Sequence, residues 1–302
     1  MVSHSTNSID SSSGGGLRRA DAPPRRVTVI RPPSLRQSGV FSSLAKLAQY
    51  KDLLYTLSLH RIKVRYKQSV LGVAWAILQP LSLMLIFTVV FAYIAKMPSD
   101  GAPYPVFAYV ALLPWTFFST ALANATNSLV NHAQIVTKVY FPREILPITY
   151  VIAAIFDFFV ASLVFAGLMS YYRVPLTWNA LYAIPIMVVL TFFATATALF
   201  MSATQVRFRD IGMAMPLLLQ LWMYATPVAY PLSALDGAAP ALRVAYNLNP
   251  MVGVIENFRK VMLYGRPPDF RLLALSACVS VALLVASYVY FKRVEATVAD
   301  II

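Results

Sequence analysis

Residues 68–95 read QSVLGVAWAILQPLSLMLIFTVVFAYIA and contain no Asp, Glu, Lys or Arg. About 20 apolar residues in a helix, rising about 1.5 Å each, are enough to cross the hydrocarbon core of a bilayer. This stretch therefore predicts a membrane-spanning helix. The composition of the whole chain agrees, since 59% of its 302 residues are hydrophobic and only 12% are charged, whereas a soluble domain carries about 25% charged residues.

Outward from this stretch, the chain contains further apolar segments of sufficient length between its charged residues. One of them carries an acid, Asp157, which we expect to pair inside the helix bundle because a carboxylate facing lipid is costly. The sequence thus predicts an all-α integral membrane protein with six transmembrane helices, at about residues 70–95, 105–130, 146–171, 177–204, 211–231 and 272–291.

Two segments before the first predicted span are too polar to cross a bilayer. Residues 1–40 are rich in Ser, Gly, Pro and Arg, which is typical of a disordered tail. Residues 43–67 place Leu at helical spacing and end in basic residues. This pattern predicts an amphipathic helix at the membrane interface, or alternatively one packed on a partner protein. The transmembrane domain as a whole would then cover residues 41–302.

A charged segment interrupts the series of spans near the carboxyl terminus. Residues 242–263 contain Arg, Glu and Lys as well as the pair Asn249-Pro250. Each of these charges would cost about 2.5–3.5 kcal/mol at the bilayer centre. Between spans five and six we therefore expect an extracytoplasmic re-entrant hairpin, which enters the interface without crossing the membrane.

The basic residues predict the orientation of the chain. The formal net charge is +13, from 25 Lys and Arg against 12 Asp and Glu. Six spans place both termini on one side, and most Lys and Arg residues then fall on that side, which predicts cytoplasmic termini. This topology accounts for the basic charge without nucleic-acid binding.

The sequence contains none of the motifs that would let this chain convert energy by itself. None of its 11 glycines is followed by Lys, so there is no phosphate-binding loop, and no set of acids or histidines resembles a hydrolase site or a proton relay. The single cysteine, Cys278, supports neither a disulfide nor a metal cluster. We therefore predict no catalytic residue, metal or cofactor on this chain, and transport driven by another chain.

Four sets of residues, in order along residues 44–291, resemble the permease subunits of type-2 ABC exporters, which export O-antigen, capsule and teichoic-acid polysaccharides. They occur together and in register with the predicted spans, which makes the match specific. They are Arg65–Trp75 with Gln79-Pro80, Lys138–Pro147, Phe208–Ile211 with Thr226–Pro231, and Asn249-Pro250 with Arg259 and Leu263–Gly265.

The resemblance implies a homodimer of permeases in a bacterial inner membrane, joined to two copies of a separate ATPase subunit that binds ATP and Mg²⁺. It implies an undecaprenyl-linked glycan as cargo, with membrane lipids around the complex. It also implies that the loop before the third span docks on the ATPase through Lys138, Phe141, Pro142, Arg143 and Glu144. From the residues alone, a tight loop with prolines at its helix ends explains the same segment equally well.

Two further sets of residues have two interpretations each. Arg61, Arg65 and Lys67, with the pair Arg209-Asp210, are candidates for an interfacial and cytoplasmic gate, but Asp210 is also a natural N-cap for the fifth span. Aromatic residues on spans one and five are candidates to stack on sugar rings in a channel, as the resemblance implies. Trp and Tyr also collect at membrane interfaces, and Phe fills cores. The aromatic set is Trp75, Phe87, Phe91, Tyr93, Trp222, Tyr224 and Tyr230.

Three other functions fit a six-span membrane protein. A secondary carrier or small channel is disfavoured, because the sequence has no internal repeat and no charged relay. The same permease architecture could serve small drugs or other lipids, which the width and lining of the channel would decide. An interfacial enzyme such as a glycosyltransferase would need a catalytic acid cluster or a metal-binding set that this sequence lacks.

Overall fold

The computed structural model describes residues 49–67, 71–138, 141–235, 237 and 239–301. Every regular element in these ranges is helical, as predicted. The predicted tail at residues 1–40 and the start of the predicted helix 43–67 lie outside them. The α-helices are α1 (Lys51–Lys67), α2 (Ala74–Phe87, continued by a π-helix at Thr88–Ile94), α3 (Tyr104–Thr126), α4 (Ala133–Lys138), α5 (Ile145–Tyr171), α6 (Ala183–Arg207), α7 (Asp210–Tyr224), α8 (Pro240–Asn247), α9 (Pro250–Met262) and α10 (Phe270–Ile301), with 3₁₀ turns at Val130–His132, Trp178–Tyr182 and Leu232–Leu235.

Five helical segments in the described ranges are long and apolar enough to cross a membrane, and the protein is a multi-pass membrane protein. At the predicted fifth span, residues 211–231, α7 has 15 residues and is shorter than the about 20 residues that cross a bilayer core as a helix. The five long segments match the predicted spans one, two, three, four and six, at Ala74–Ile94, Tyr104–Thr126, Ile145–Tyr171, Trp178–Arg207 and Phe270–Glu295.

Helix α3 lies at the centre of the bundle. It is apolar on all sides, as expected of a fully buried helix, and it contacts α2, α5, α6, α7 and α9. Its Phe118 ring stacks on Phe193 of α6 and meets Trp222 of α7 edge-on, with ring centroids 5.2 and 5.1 Å apart. Around α3, helix α2 packs beside α5 and α7 packs beside α6.

Helices α8 and α9 occupy the position of the predicted re-entrant hairpin. Asn249 caps α9 by accepting a hydrogen bond from the backbone N–H of Met251 at 3.2 Å, and Pro250 is the first helical residue. Helix α9 is largely buried and contacts α3, α6 and α10. Its Gly253 allows a close approach to α10, because a Cβ there would lie 3.1 Å from the carbonyl oxygen of Leu272.

Helix α1 packs along the first half of α5. The guanidinium of Arg61 lies over the ring of Tyr150 at 4.6 Å, and one turn later Arg65 meets Asp157. At its beginning, Leu54 and Leu57 cover a second cluster of buried apolar side chains at the start of α5. One side of the predicted amphipathic helix is thus fixed to the bundle.

Candidate functional site

A cleft of about 370 Å³ separates α2 from α7, and α3 forms its floor. Gln79 of α2 and Gln220 of α7 stand on the two walls, and Thr116 and Ser119 lie on the floor. The floor hydroxyls are satisfied within α3, since Thr116 donates to the carbonyl of Leu112 at 2.8 Å and Ser119 donates to the carbonyl of Thr116 at 3.3 Å. We call this the α2–α7 cleft.

The two glutamine side chains of the α2–α7 cleft differ from these hydroxyls. Gln79 and Gln220 are exposed, and neither side chain has a hydrogen-bond partner among the described residues. Moving an amide from water into hydrocarbon without a partner costs about 4–8 kcal/mol. The α2–α7 cleft is therefore suited to face water, a polar ligand or a second protein surface, and not lipid tails.

The predicted channel aromatics on α2 fall into two groups. Trp75 and Tyr93 are 54% and 75% exposed, so both rings are available to a ligand or a lipid. Phe87 is buried in the core, and Phe91 packs edge-on against it with centroids 5.4 Å apart. Phe87 therefore packs into the core, and it also lines the α2–α7 cleft, so its role in a channel stays a prediction.

The predicted channel aromatics on α7 and in the segment after it also divide into exposed and packed residues. Tyr224 is exposed and lines the α2–α7 cleft. Trp222 belongs to the core aromatic cluster and directs its ring N–H toward Oδ1 of Asn249 at 3.4 Å. Tyr230 hydrogen-bonds the hydroxyl of Tyr246 and the carbonyl of Tyr224. Only Tyr224 of these three borders the cleft.

The α2–α7 cleft continues toward the end of α1 through a small pocket that shares Gln79 and Thr116 with it. In this pocket Nη1 of Arg65 lies 2.5 Å from Oδ2 of Asp157, and the hydroxyl of Tyr66 donates to the other carboxylate oxygen. Burial, together with this hydrogen bond, raises the pKa of Tyr66, so the hydroxyl remains a donor. The predicted pairing of Asp157 is confirmed, and its partners come from α1.

The remaining predicted gate residues lie at the ends of helices. Lys67 is exposed at the end of α1. Asp210 is not the N-cap of α7 as predicted, because it is the first helical residue and the N-cap position falls on Arg209, whose side chain makes no capping hydrogen bond. Its charge still favours the helix N-terminus. The turn is held by Gln205, which accepts from the backbone N–H of Gly212 at 2.6 Å and donates to the carbonyl of Arg209 at 3.1 Å.

The segment just before α5 is tied to the end of α10. The carboxylate of Glu144, 1% exposed, accepts hydrogen bonds from Nζ of Lys292 at 2.7 Å and from the hydroxyl of Tyr288 at 3.3 Å. Glu295 extends the network, accepting from Lys292 at 2.8 Å and from the backbone N–H of Arg143 at 3.1 Å. Burial raises the pKa of Glu144, the charge of Glu295 adds to the rise, and Lys292 opposes it. Any movement of this segment is therefore linked to α10.

The predicted ATPase-docking residues differ in accessibility. Phe141 is buried in the apolar cluster at the start of α5, and Glu144 is buried in the network with α10. Pro142 and Arg143 are partly exposed, and Lys138 is exposed at the end of α4. Only the exposed and partly exposed members of the set are accessible to another chain in this structure, and the docking role itself stays a prediction.

Arg259 of α9 holds the non-helical segment that follows α7. Its guanidinium is almost fully buried and donates to the carbonyl of Val228 at 2.6 Å and to that of Tyr230 at 3.2 Å. The hydroxyl of Tyr104 donates at 2.6 Å to the carbonyl between them. Three consecutive carbonyl groups outside a helix are thus satisfied by side chains, which non-helical backbone inside a membrane protein requires.

Comparison with known proteins places this arrangement in a family. The family model described as "ABC-2 type transporter" matches residues 52–263, which run from α1 to the residue after α9. The chain belongs to the ABC-2 type transporter family.

Relatives of this ABC-2 type transporter chain are named for O-antigen export or polysialic acid transport. An O-antigen export system permease protein RfbA of Myxococcus xanthus is 35% identical over 254 residues, 83% of this chain and 95% of that protein. A protein of the same name from Klebsiella pneumoniae is 29% identical, over 71% of this chain and 81% of its own length. The polysialic acid transport protein KpsM of Escherichia coli is 25% identical, over 71% and 83%.

The residues that sequence reasoning missed in this ABC-2 type transporter are polar side chains within helices. Gln205 and Gln220 lie in apolar stretches where an amide is costly, and that cost was an available signal. The pairing of Lys292 with Glu144 had no local signal, because 148 residues separate the two partners in the sequence. In the described ranges, no group of three or more His, Cys, Asp or Glu residues is placed to hold a metal ion.

Proposed function

We propose that this chain is the permease subunit of an ABC exporter that moves an O-antigen or capsule type of polysaccharide across the bacterial inner membrane. Its relatives are named for the export of O-antigen or the transport of polysialic acid, and these names support a polysaccharide as the cargo. The α2–α7 cleft carries the proposal structurally, because partnerless amides and an exposed tyrosine line it. Amides can hydrogen-bond to sugar hydroxyls, and an aromatic face can stack on a sugar ring.

In this proposal two copies of the chain form a homodimer and face each other through α2 and α7. Only 17% of the first span is buried inside the chain, against 78% of the second. Large apolar residues on α2 and α7 are exposed beside the cleft glutamines, among them Ile86 and Leu221. A twofold axis beside this face would join two clefts into one path with polar walls.

We further propose that α7 and the segment after it complete a sixth crossing, so that both termini are cytoplasmic. Helix α7 alone covers about 22 Å, less than the hydrocarbon core of about 30 Å. The segment Thr226–Pro231 would supply the rest, since Arg259 and Tyr104 satisfy its carbonyl groups. Helices α8 and α9 then form the extracytoplasmic re-entrant hairpin, with α9 packed in the bundle and not on lipid.

The energy for export comes, in this proposal, from two copies of an ATPase chain that binds ATP and Mg²⁺ at the cytoplasmic side. The exposed residues Ile135 and Lys138 on α4 would contact it. The network of Glu144 and Lys292 links the segment between α4 and α5 to α10. A movement of α4 caused by the ATPase would therefore displace both α5 and α10. The polar pocket at Arg65 and Asp157 would admit the lipid-linked end of an undecaprenyl-linked glycan.

Reconstitution with the partner ATPase tests this function. The chain and the ATPase are co-expressed, purified together and placed in vesicles with an undecaprenyl-linked glycan, ATP and Mg²⁺. We expect co-purification, ATP hydrolysis stimulated by the glycan, and glycan delivered across the membrane. A chain that purifies without an ATPase, or a complex whose ATP hydrolysis ignores the glycan, contradicts the proposal.

A further inference from the structure

A second and larger cavity lies between α5 and α6. Its volume is about 720 Å³, and Phe258 and Met262 of α9 form its floor. Its lining comes from α5, α6, α9 and the loop between α5 and α6, and it shares no residue with the α2–α7 cleft. We call it the α5–α6 groove.

Small residues make room for the α5–α6 groove, and its polar groups are already satisfied. The hydroxyl of Ser162 donates to the carbonyl of Phe158 at 2.7 Å, and that of Thr191 donates to the carbonyl of Met187 at 2.7 Å. Ser170 donates within its own helix in the same way, at 3.0 Å. With these protons engaged, the groove favours hydrocarbon over a sugar or a charged headgroup.

The rim of the α5–α6 groove continues into exposed apolar surface. Phe159 and Ile184 on its two walls are 64% and 66% exposed. A shallower cavity that shares Leu176 and Ile184 extends it to Trp178, which is 89% exposed. Tryptophan collects at the level of lipid headgroups. The path from Trp178 into the groove therefore runs from headgroup depth into the hydrocarbon, as a lipid chain does.

We infer that the α5–α6 groove binds one hydrocarbon chain of a bilayer phospholipid, in the leaflet away from α4. A second copy of the protein is a poorer occupant of this groove. The partnerless amides that a protein surface would cover lie in the α2–α7 cleft and not here. The bound chain contacts Phe258, the neighbour of Arg259, and so supports α9 on a different side of the helix from the segment that Arg259 holds. The site serves a structural lipid and stands independently of the cargo.

Photo-crosslinking of the purified protein tests this inference without ATPase or glycan. The protein is reconstituted with a phospholipid that carries a diazirine in its acyl chain, and the labelled residues are mapped by mass spectrometry. The variant Ala166→Trp fills the groove, whose wall includes Ala166. Leu163→Trp is the matched control, because Leu163 lies on the same helix, is 73% exposed and does not line the groove.

We expect labelling concentrated on groove residues such as Met187, lost in Ala166→Trp and retained in Leu163→Trp. If the Ala166→Trp variant does not accumulate, the labelling pattern of the wild-type protein tests the inference by itself. The inference requires more label on the groove residues than on the exposed Leu163. Uniform labelling of all lipid-facing residues overturns the inference. So does displacement of the phospholipid by undecaprenyl phosphate, which would make the groove a site for the cargo carrier.

Discussion

The ammonium of Lys292 lies 2.7 Å from the carboxylate of Glu144, although 148 residues separate them in the sequence. The pair joins the end of α10 to the segment that leads into α5, and Glu144 is 1% exposed. An ionised carboxylate at such a depth requires a cation or several hydrogen-bond donors. This pair therefore links the segment before α5 to the last helix.

Lys292→Met should destabilise the protein, because it leaves the Glu144 carboxylate buried without its cation. Breaking one side of a buried pair costs about 3–5 kcal/mol, so the thermal unfolding temperature of the purified protein should fall clearly. The double variant Glu144→Gln, Lys292→Met should recover most of that loss. Lys260→Met is the control, since its contact with Glu256 is 3.9 Å long and partly exposed. Equal falls in unfolding temperature for Lys292→Met and Lys260→Met would contradict the conclusion that Lys292 neutralises the buried Glu144.

Arg65 and Asp157 should show a measurable but modest coupling energy. Their side chains are 39% and 14% exposed, so a double-mutant cycle of Arg65→Ala and Asp157→Asn should give about 1 kcal/mol. Lys67→Ala, on the same helix but exposed, should have no coupling with Asp157→Asn. Strictly additive effects of Arg65→Ala and Asp157→Asn would mean that the pair does not anchor α1.

Arg259→Lys should lower both stability and export although the charge is kept. A lysine ammonium lacks the rigid planar fork whose separate N–H groups reach the carbonyls of Val228 and Tyr230, and it loses the stacking of the guanidinium over Phe107 at 3.9 Å. We expect a loss of about 2 kcal/mol in the free energy of unfolding. Arg266→Lys is the matched control, since Arg266 is exposed. If both substitutions leave unfolding and export unchanged, Arg259 does not hold the segment after α7.

Gly253→Ala should loosen the contact between α9 and α10. A Cβ there would overlap the Ser276 hydroxyl and lie 3.1 Å from the carbonyl oxygen of Leu272, which predicts a loss of about 1–3 kcal/mol. Gly167→Ala is a matched control within a helix, because a Cβ there meets nothing within 4 Å. Adding Ser276→Ala should recover only part of the loss, since the carbonyl remains. Equal unfolding temperatures for the two alanine variants would contradict the packing.

The long spans were predictable because a charge-free run of sufficient length is a local property of the sequence. Residues 68–95 are such a run, and the first span lies within it. The length of α7 was not predictable in this way. Its apolar run continues past Tyr224, but Pro227 has no backbone N–H with which to continue the helix. The carbonyl groups of Val228, Ala229 and Tyr230 bond instead to Arg259 and Tyr104, which are remote in sequence.

Within the candidate site, sequence reasoning identified residues better than it identified their contacts. Asp157 was expected to pair inside the bundle, and it does, but nothing local pointed to Arg65. Phe141 and Glu144 belong to the predicted ATPase-docking set, whose role stays a prediction, and the sequence did not reveal that both are buried by partners from remote parts of the chain. Such contacts depend on tertiary packing, which a single sequence does not reveal.

Thiol labelling in the α2–α7 cleft tests the proposed export path most directly. Cys278, the single cysteine of the chain, is replaced by Ser, and Gln220→Cys is added to this variant. The double variant is then reconstituted with the ATPase in transport-active vesicles. Leu163→Cys, on the lipid-facing surface, serves as the control. We predict that a water-soluble thiol reagent labels position 220 and stops glycan export, while position 163 stays unlabelled. Export that continues with position 220 fully labelled, or a position 220 that never reacts while glycan is moving, would contradict the path.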